Sequence, residues 1–424
     1  METVDLFLSN ADQVVTCASP TAKRGPAMQS VGFIPHGAVA VQDACIVAVG
    51  PTADLGERFT ARHTIDCTGH AVCPGFVDPH THVVYGGDRA AEFELRIKGA
   101  SYLEIMEAGG GIVNTVRHTR EASVDDLAAL ASRRLDDMLA LGTTTVEIKT
   151  GYGLDTASEL KMLDVIAQLD TTHLCDIVPT FLGAHTVPPE YRGDIEGYTR
   201  LVIEETLPEV VNWYRTSHFI AQGTPLYIDV FCEDHAFNVD QTRRVLQAGM
   251  GAGLQAKIHV DQFNDFGGVA MAVELGATSA DHLDVTGEEG IKNLAQSDTM
   301  AIPLPAVNFN LGVDYFADAR ALIDAGALVA LATDINPGSA PCPSMPLVMA
   351  IACRFQKLLP SEALNAATIN AAYAIGQGEV TGSIEVGKRA DLLILKERDY
   401  RHIPYFFGGN PVKTVIKRGK VVAL

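Results

Sequence analysis

The chain has 424 residues, of which 47% are hydrophobic and 20% charged, with a formal net charge of −20. That length exceeds one small domain and suits a large barrel with a satellite. The acidity argues against nucleic acid or an anionic membrane as partner, because either polyanion would be repelled, and an anionic small-molecule substrate would need its own local cation.

The opening "METVDLFLSNADQVV" carries acids where a signal peptide needs a basic start and an apolar core. No run reaches the ~18 uninterrupted apolar residues of a membrane helix. The eight cysteines form no CxxC and no regular spacing, the pattern of reduced, mostly buried thiols, which makes the cytoplasm the expected location.

In the first sixty-odd residues, "GAVAVQDACIVAVG" and "HTIDCTGHAVCPGF" are short apolar runs around polar turns and predict strands. The far end, "GSIEVGKRADLLILK" and "VKTVIKRGKVVAL", repeats that texture. The two ends are therefore expected to meet in one small β-domain, residues 1–72 and 373–424, around a different middle, 73–372. From Gly75 onward, strand patterns alternate with helical ones. After "GFVDPHTH" come "TTTVEIKT", "CDIVPTFLGAH", "LYIDVFCE", "LQAKIHVD", "TSADHLD", "TMAIPLP" and "LVALATD". Between them, "SVDDLAALASRRLDDMLALG" begins with Ser123, has Asp126 three residues on and ends in Gly142, the signals of a capped helix. "VDQTRRVLQAGMGAG", "GGVAMAVELGA" and "FADARALIDAGA" have the same period. Eight strand units alternating with helices predict an α/β fold, a TIM-like (β/α)₈ barrel. An open doubly wound sheet would want a glycine fingerprint after its first strand, and none is there. "EAGGGI", Gly109–Gly111, reads either as a connection or as a loop over the barrel mouth.

Barrel chemistry sits at the C-terminal strand ends. Those ends carry His80 and His82 on the first unit, His185 on the third, His259 on the fifth, His282 on the sixth and Asp334 on the eighth, so five of the 13 histidines fall where reacting groups belong. In an extended segment, residues two apart share a face, so His80 and His82 point to one place. A lone HxH is also what an exposed pair looks like. With His259 and Asp334 added it becomes three imidazoles and a carboxylate, a set that suits zinc or iron. His185 and His282 could each be a supporting or core histidine on a backbone carbonyl; His282 is also placed to move protons. Glu233 and Asp234 read as solvated loop carboxylates, and Lys149 as an ion-pair partner inside the barrel.

"PGFVDPHTHVVYGG" followed by Arg89, "EFELRIKGASYLEIMEAGGGI", "EIKTGYGLD", "FLGAH", "SADHLD" and "LATDINPGS" together resemble the imidazolonepropionases, amidohydrolase-superfamily enzymes of histidine breakdown. The closing "GSIEVGKRADLLIL" is similar to the small β-sandwich that this superfamily builds from both chain ends. The resemblance implies one zinc or iron ion held by His80, His82, His259 and Asp334, and hydrolytic opening of 4-imidazolone-5-propanoate to N-formimidoyl-L-glutamate. It implies that Arg89, Tyr152, His185, Gln262 and Ser339 contact the substrate, and that Asn336 and Gly338, with Tyr152, contact the product. It also carries the expectation of a homodimer. In "KIHVDQF", Gln262 stands where some relatives carry Glu. An amide cannot accept a proton, so the catalytic proton transfers shift to His282 and Asp334. The competing readings are a deaminase of a nucleobase or related heterocycle, which has no tail to place on Arg89, and a non-catalytic barrel scaffold, which would have lost a ligand.

Overall fold

A computed structural model describes residues 1–99 and 110–423. In the β-rich first part, β1 (Glu2–Val15), β2 (Phe33–Gln42), β3 (Cys45–Pro51), β4 (Phe59–Asp66) and β5 (Ala71–Pro74) are followed by β6 (Phe76–Asp78). The middle contributes β7 (Thr143–Lys149), β8 (Asp176–Ala184), β9 (Tyr227–Cys232), β10 (Gln255–Val260), β11 (Ser279–His282) and β12 (Met300–Pro303). The end supplies β13 (Leu392–Leu395), β14 (Val412–Lys417) and β15 (Lys420–Val421).

One sheet takes strands from both chain ends, in the order β15-β14-β13-β5-β1-β2-β3, with β4 also on β1. Its alternation is legible in β1 and β2. Leu6, Leu8, Val39 and Val41 enter one apolar cluster with Leu392 and Ile416, while Phe7, Ala38 and Ala40 enter another on the opposite face, as the two-residue period requires. The junction to the middle is ionic: Lys417 of β14 donates to Asp391 at 2.7 Å and to Asp176, the first residue of β8, at 2.5 Å.

The other sheet runs β12-β11-β10-β9-β8-β7-β6, every neighbouring pair parallel. Their near-continuous burial is that of parallel strands covered by helices. The eighth unit, "LVALATD", closes the ring without forming a regular strand. Val329 bridges Ala301 of β12, and at the far end Asp334 N donates to His80 O while His82 N donates to Ile335 O. Between these points Thr333 bonds the Asp78 carboxylate through its N–H and its hydroxyl, so a side chain replaces a ladder partner. The barrel is therefore TIM-like, with one irregular stave.

The helices follow their sequence signals. Ser123 accepts from Asp126 N at the start of Val124–Ala140, and Gly142 sits at φ +99° just beyond its end. Asn238 and Gln241 complete a reciprocal capping box on Val239–Gly251. Among the described residues, no helix is long and apolar enough to cross a membrane. The first half of the "EAGGGI" stretch, residues 107–109, lies outside the described residues; Gly111 precedes the helix Ile112–Glu121 and lines the cavity described below.

Candidate active site

At the C-terminal ends of the barrel strands lies a cavity of ≈ 330 Å³. Eleven of the twelve residues singled out from the sequence line it: His82, Arg89, Tyr152, His185, His259, Gln262, His282, Asp334, Asn336, Gly338 and Ser339. The twelfth, His80, is fully buried at its floor. β6 itself stops at Asp78, because Pro79 has no N–H to continue the ladder. The segment stays extended through the two histidines by bonding outward, Lys149 N to Thr81 O on one side and the eighth stave on the other.

The donor atoms converge. His80 Nε2 and His82 Nε2 each lie 3.4 Å from Asp334 Oδ1, and His259 Nε2 lies 3.4 Å from His82 Nε2. Four ligands ~2.1 Å from a shared tetrahedral centre stand about 3.4 Å apart. Asp281 is 2.6 Å from His80 Nδ1 and Asp229 is 3.1 Å from His259 Nδ1. Each carboxylate fixes the proton on Nδ1 and turns the Nε2 lone pair into the site, the usual support of a metal-bound imidazole. His80 Nε2 and Asp334 Oδ1 are buried without a hydrogen-bond partner among the described residues, which is costly unless something else meets them. Burial holds His80, His82 and His259 below their ordinary pKa, hence neutral. Neutral imidazoles facing each other across 3.4 Å, beside a carboxylate, fit a cation.

Beneath this set, Lys149 Nζ lies 2.7 Å from Glu147, 2.8 Å from Asp229 and 3.7 Å from Asp281, all fully buried. It is an internal ion-pair partner, as its sequence context indicated. Asp229 and Asp281 were not foreseen from sequence, since a lone acid in a strand carries no local signal of the histidine it will meet.

Around the mouth, His185 Nδ1 faces Gly151 O at 3.0 Å while its ring stacks on His82 at 5.2 Å. Burial pulls its pKa down to about 3, so it is neutral and offers Nε2 to the cavity. His185 thus combines both sequence alternatives: it holds a backbone carbonyl and still lines the cavity. Tyr152 is buried and its phenol is held neutral by burial and by Asp334. Its loop is organised by Glu159, which accepts from Gly151, Gly153 and Leu154 N–H groups. Burial tends to lower the pKa of His282, but Asp284, Asp334 and Asp281 outweigh it and the net direction is up. Asp284 sits 3.6 Å away, an ionic contact rather than a hydrogen bond. Burial pushes Asp334 up to about 7. Asp261, His282 and Asp334 all have left-handed backbones, at φ +53°, +83° and +50°. For side chains other than glycine that is strained geometry of the kind that clusters at working sites.

One sequence reading needs correction. Glu233 is not a solvated loop acid. It is fully buried and accepts from Phe263 N and Asn264 Nδ2, fixing the loop that carries Gln262; Asp234 beside it is exposed. Arg89 Nε donates to Glu92 at 2.8 Å. The Asn336 amide is committed to its own turn, donating to Asp334 O and accepting from the Gly338 and Ser339 N–H groups.

The Amidohydrolase family model matches residues 232–422. An imidazolonepropionase of Chloroflexus aggregans is 56% identical over 423 residues, covering 100% of this chain and 99% of its own. Another, of Herpetosiphon aurantiacus, is 52% identical and covers 100% and 98%. The chain belongs to the imidazolonepropionase family. It is a hydrolase of the amidohydrolase type. A zinc-bound adenosine deaminase of Xanthomonas campestris superposes with a TM-score of 0.70 at 22% identity, covering 99% of this chain and 93% of its own; at that identity it establishes the shared fold. Two overlapping groups of buried donors, His80–His82–His259 and His80–His282–Asp334, could hold a metal ion in this amidohydrolase-type site.

Proposed function

We propose that the chain hydrolyses 4-imidazolone-5-propanoate to N-formimidoyl-L-glutamate, in histidine breakdown, with one zinc or iron ion held by His80, His82, His259 and Asp334. The observation that carries this reading is the pairing, in one small cavity, of that donor cluster with arginine at the mouth. A substrate with a hydrolysable ring and an anionic tail spans those two ends.

When bound, the ion supplies Lewis-acid polarisation and an acidified water. The chain's own residues do the rest. Arg89, held through Nε by Glu92, offers its two terminal nitrogens to the propionate as a planar fork. Tyr152, His185, Gln262 and Ser339 contact the ring; Tyr152, Asn336 and Gly338 contact the opened product. Addition of water to the ring carbonyl breaks its C–N bond, and the leaving nitrogen takes a proton from His282 or Asp334. Gln262 orients substrate or water and cannot serve as the base. The neutral His185 and Tyr152 add hydrogen bonds without adding charge to a cavity already supplied with it.

The test is to incubate metal-loaded protein with freshly generated imidazolone propionate, following substrate loss and product mass beside cytosine, guanine and a neutral hydantoin. Ring opening at the highest kcat/KM supports the reading. Faster ammonia release from a nucleobase would overturn the substrate, and no turnover at all would favour a scaffold. Arg89→Met should keep the metal and lose on the order of 2–4 kcal/mol of transition-state stabilisation.

A further inference from the structure

We infer that Arg96 is the second cation of the tail site and sets the preference for a carboxylate there; this rests on the substrate reading above. Arg89 caps the helix Ala90–Ile97. Glu92 follows it by three residues and Arg96 by seven, so the three side chains share one helical face, and all three line the cavity.

Charge then decides what this face can take. Arg89 is ion-paired to Glu92 at 2.8 Å, with both side chains largely buried. That pair alone is neutral and gives an anionic tail little net attraction. Arg96 restores one positive charge. Its position is fixed, because Nη2 donates to Gly338 O at 3.0 Å. The Arg89 guanidinium lies over the same glycine, so close that a Cβ at Gly338 would stand 2.1 Å from Nη1. Two guanidiniums thus meet at one residue, beside one carboxylate whose Oε1 is buried without a partner among the described residues. Like charges brought together in a half-buried cleft repel one another, and burial, with Arg89 second, holds the Arg96 pKa below its ordinary value. One further carboxylate completes two cations and two anions. A monoanionic tail meets that requirement; a neutral tail leaves the repulsion standing.

The experiment compares wild type, Arg96→Met and Arg96→Lys, all metal-loaded, on two pairs of ligands. For turnover these are imidazolone propionate and its propionamide. For binding by calorimetry they are imidazole-4-propionate and its amide, which are not hydrolysed. Wild type should favour the acid of each pair. Arg96→Met should shrink the acid-to-amide ratio by roughly tenfold to a hundredfold, the scale of one charge-assisted contact, and Arg96→Lys should recover part of it. A purely structural role, exerted through the Gly338 carbonyl, would lower acid and amide alike and leave the ratio unchanged. That result would overturn the inference, as would a wild type without preference for the acid. Absence of ring opening by wild type would instead refute the proposed reaction, and the binding ratios would still decide the role of Arg96.

Discussion

Gly338→Ala perturbs the Arg89 contact while leaving the arginine itself in place. Gly338 is not among the residues with left-handed backbone, so alanine is conformationally acceptable there. Space is what forbids it. The new methyl carbon would lie 2.1 Å from Arg89 Nη1 and 2.8 Å from Cζ, whereas carbon-to-nitrogen contact needs about 3.5 Å. The guanidinium must therefore retreat by ~1.4 Å while Nε stays tethered to Glu92. A hydrogen bond stretched that far is broken or water-filled, and a contact to a charged group is worth about 1.5–3 kcal/mol. The expected loss in kcat/KM is about 10- to 150-fold, mostly in KM. Because the displaced atoms are the tip of a long side chain, the change in folding stability should stay within ~1 kcal/mol, and metal content should not change. Steady-state kinetics, calorimetric melting and elemental analysis read the three quantities. A double-mutant cycle with Arg89→Met sharpens the outcome: if alanine acts through the arginine, it should cost almost nothing further once the arginine is gone. Wild-type kcat/KM in Gly338→Ala, or full additivity with Arg89→Met, would show that the tail is not held where Arg89 now lies.

The remaining expectations concern the metal and the proton. His80→Ala and His259→Ala should each lose bound metal by elemental analysis, and full retention in both would sink the ligand assignment. His282→Ala should lower turnover by ~10²–10⁴-fold, as expected for an acid–base group, and more than Gln262→Ala does; the reverse order would redraw the proton path. Lys149→Met leaves Glu147, Asp229 and Asp281 without their shared cation. Chemical denaturation should record a loss of about 3–5 kcal/mol, and metal affinity should fall by ~10–100-fold because the carboxylates that orient His80 and His259 are no longer anchored.

The sequence carried the alternation of strands and helices, and with it the barrel, because periodicity is a local property. It also carried the histidines and the aspartate that converge in the cavity, since each of His80, His82, His259 and Asp334 ends a recognisable strand unit. "LVALATD" reads as a strand like the others, yet in the structure it forms only two isolated bridges, Leu328 to Arg24 and Val329 to Ala301, and then hands its N–H at Thr333 to Asp78. A side-chain substitute for a ladder bond leaves no trace in an apolar run. The supporting acids were illegible for a related reason. Glu233 and Glu159 resemble surface carboxylates until the N–H donors they receive are placed around them, and for Glu233 two of these, Phe263 N and Asn264 Nδ2, lie 30 and 31 residues away in the chain. Arg96 was present in the quoted motif, but its role depends on Glu92 cancelling the charge of Arg89, which only the folded helix reveals.

Charge also explains why so polar an interior holds together. The carboxylates of Asp229, Asp281, Asp334 and Glu147 are linked through the imidazoles and Lys149, with Lys257 3.8 Å from Glu147. Asp78 stands apart on Thr333, with burial pushing it up to about 7. Four carboxylates against two ammoniums, with neutral imidazoles between them, leave two negative charges in a water-poor barrel. Such an excess is destabilising unless it is neutralised. Protonation is one route, and it is the direction in which burial drives Asp334, to about 7, and Asp281. A divalent cation among the donor atoms is the other, and it removes the excess while leaving every carboxylate ionised to hold its histidine. That negative excess favours a dication among the donor atoms of His80, His82, His259, His282 and Asp334.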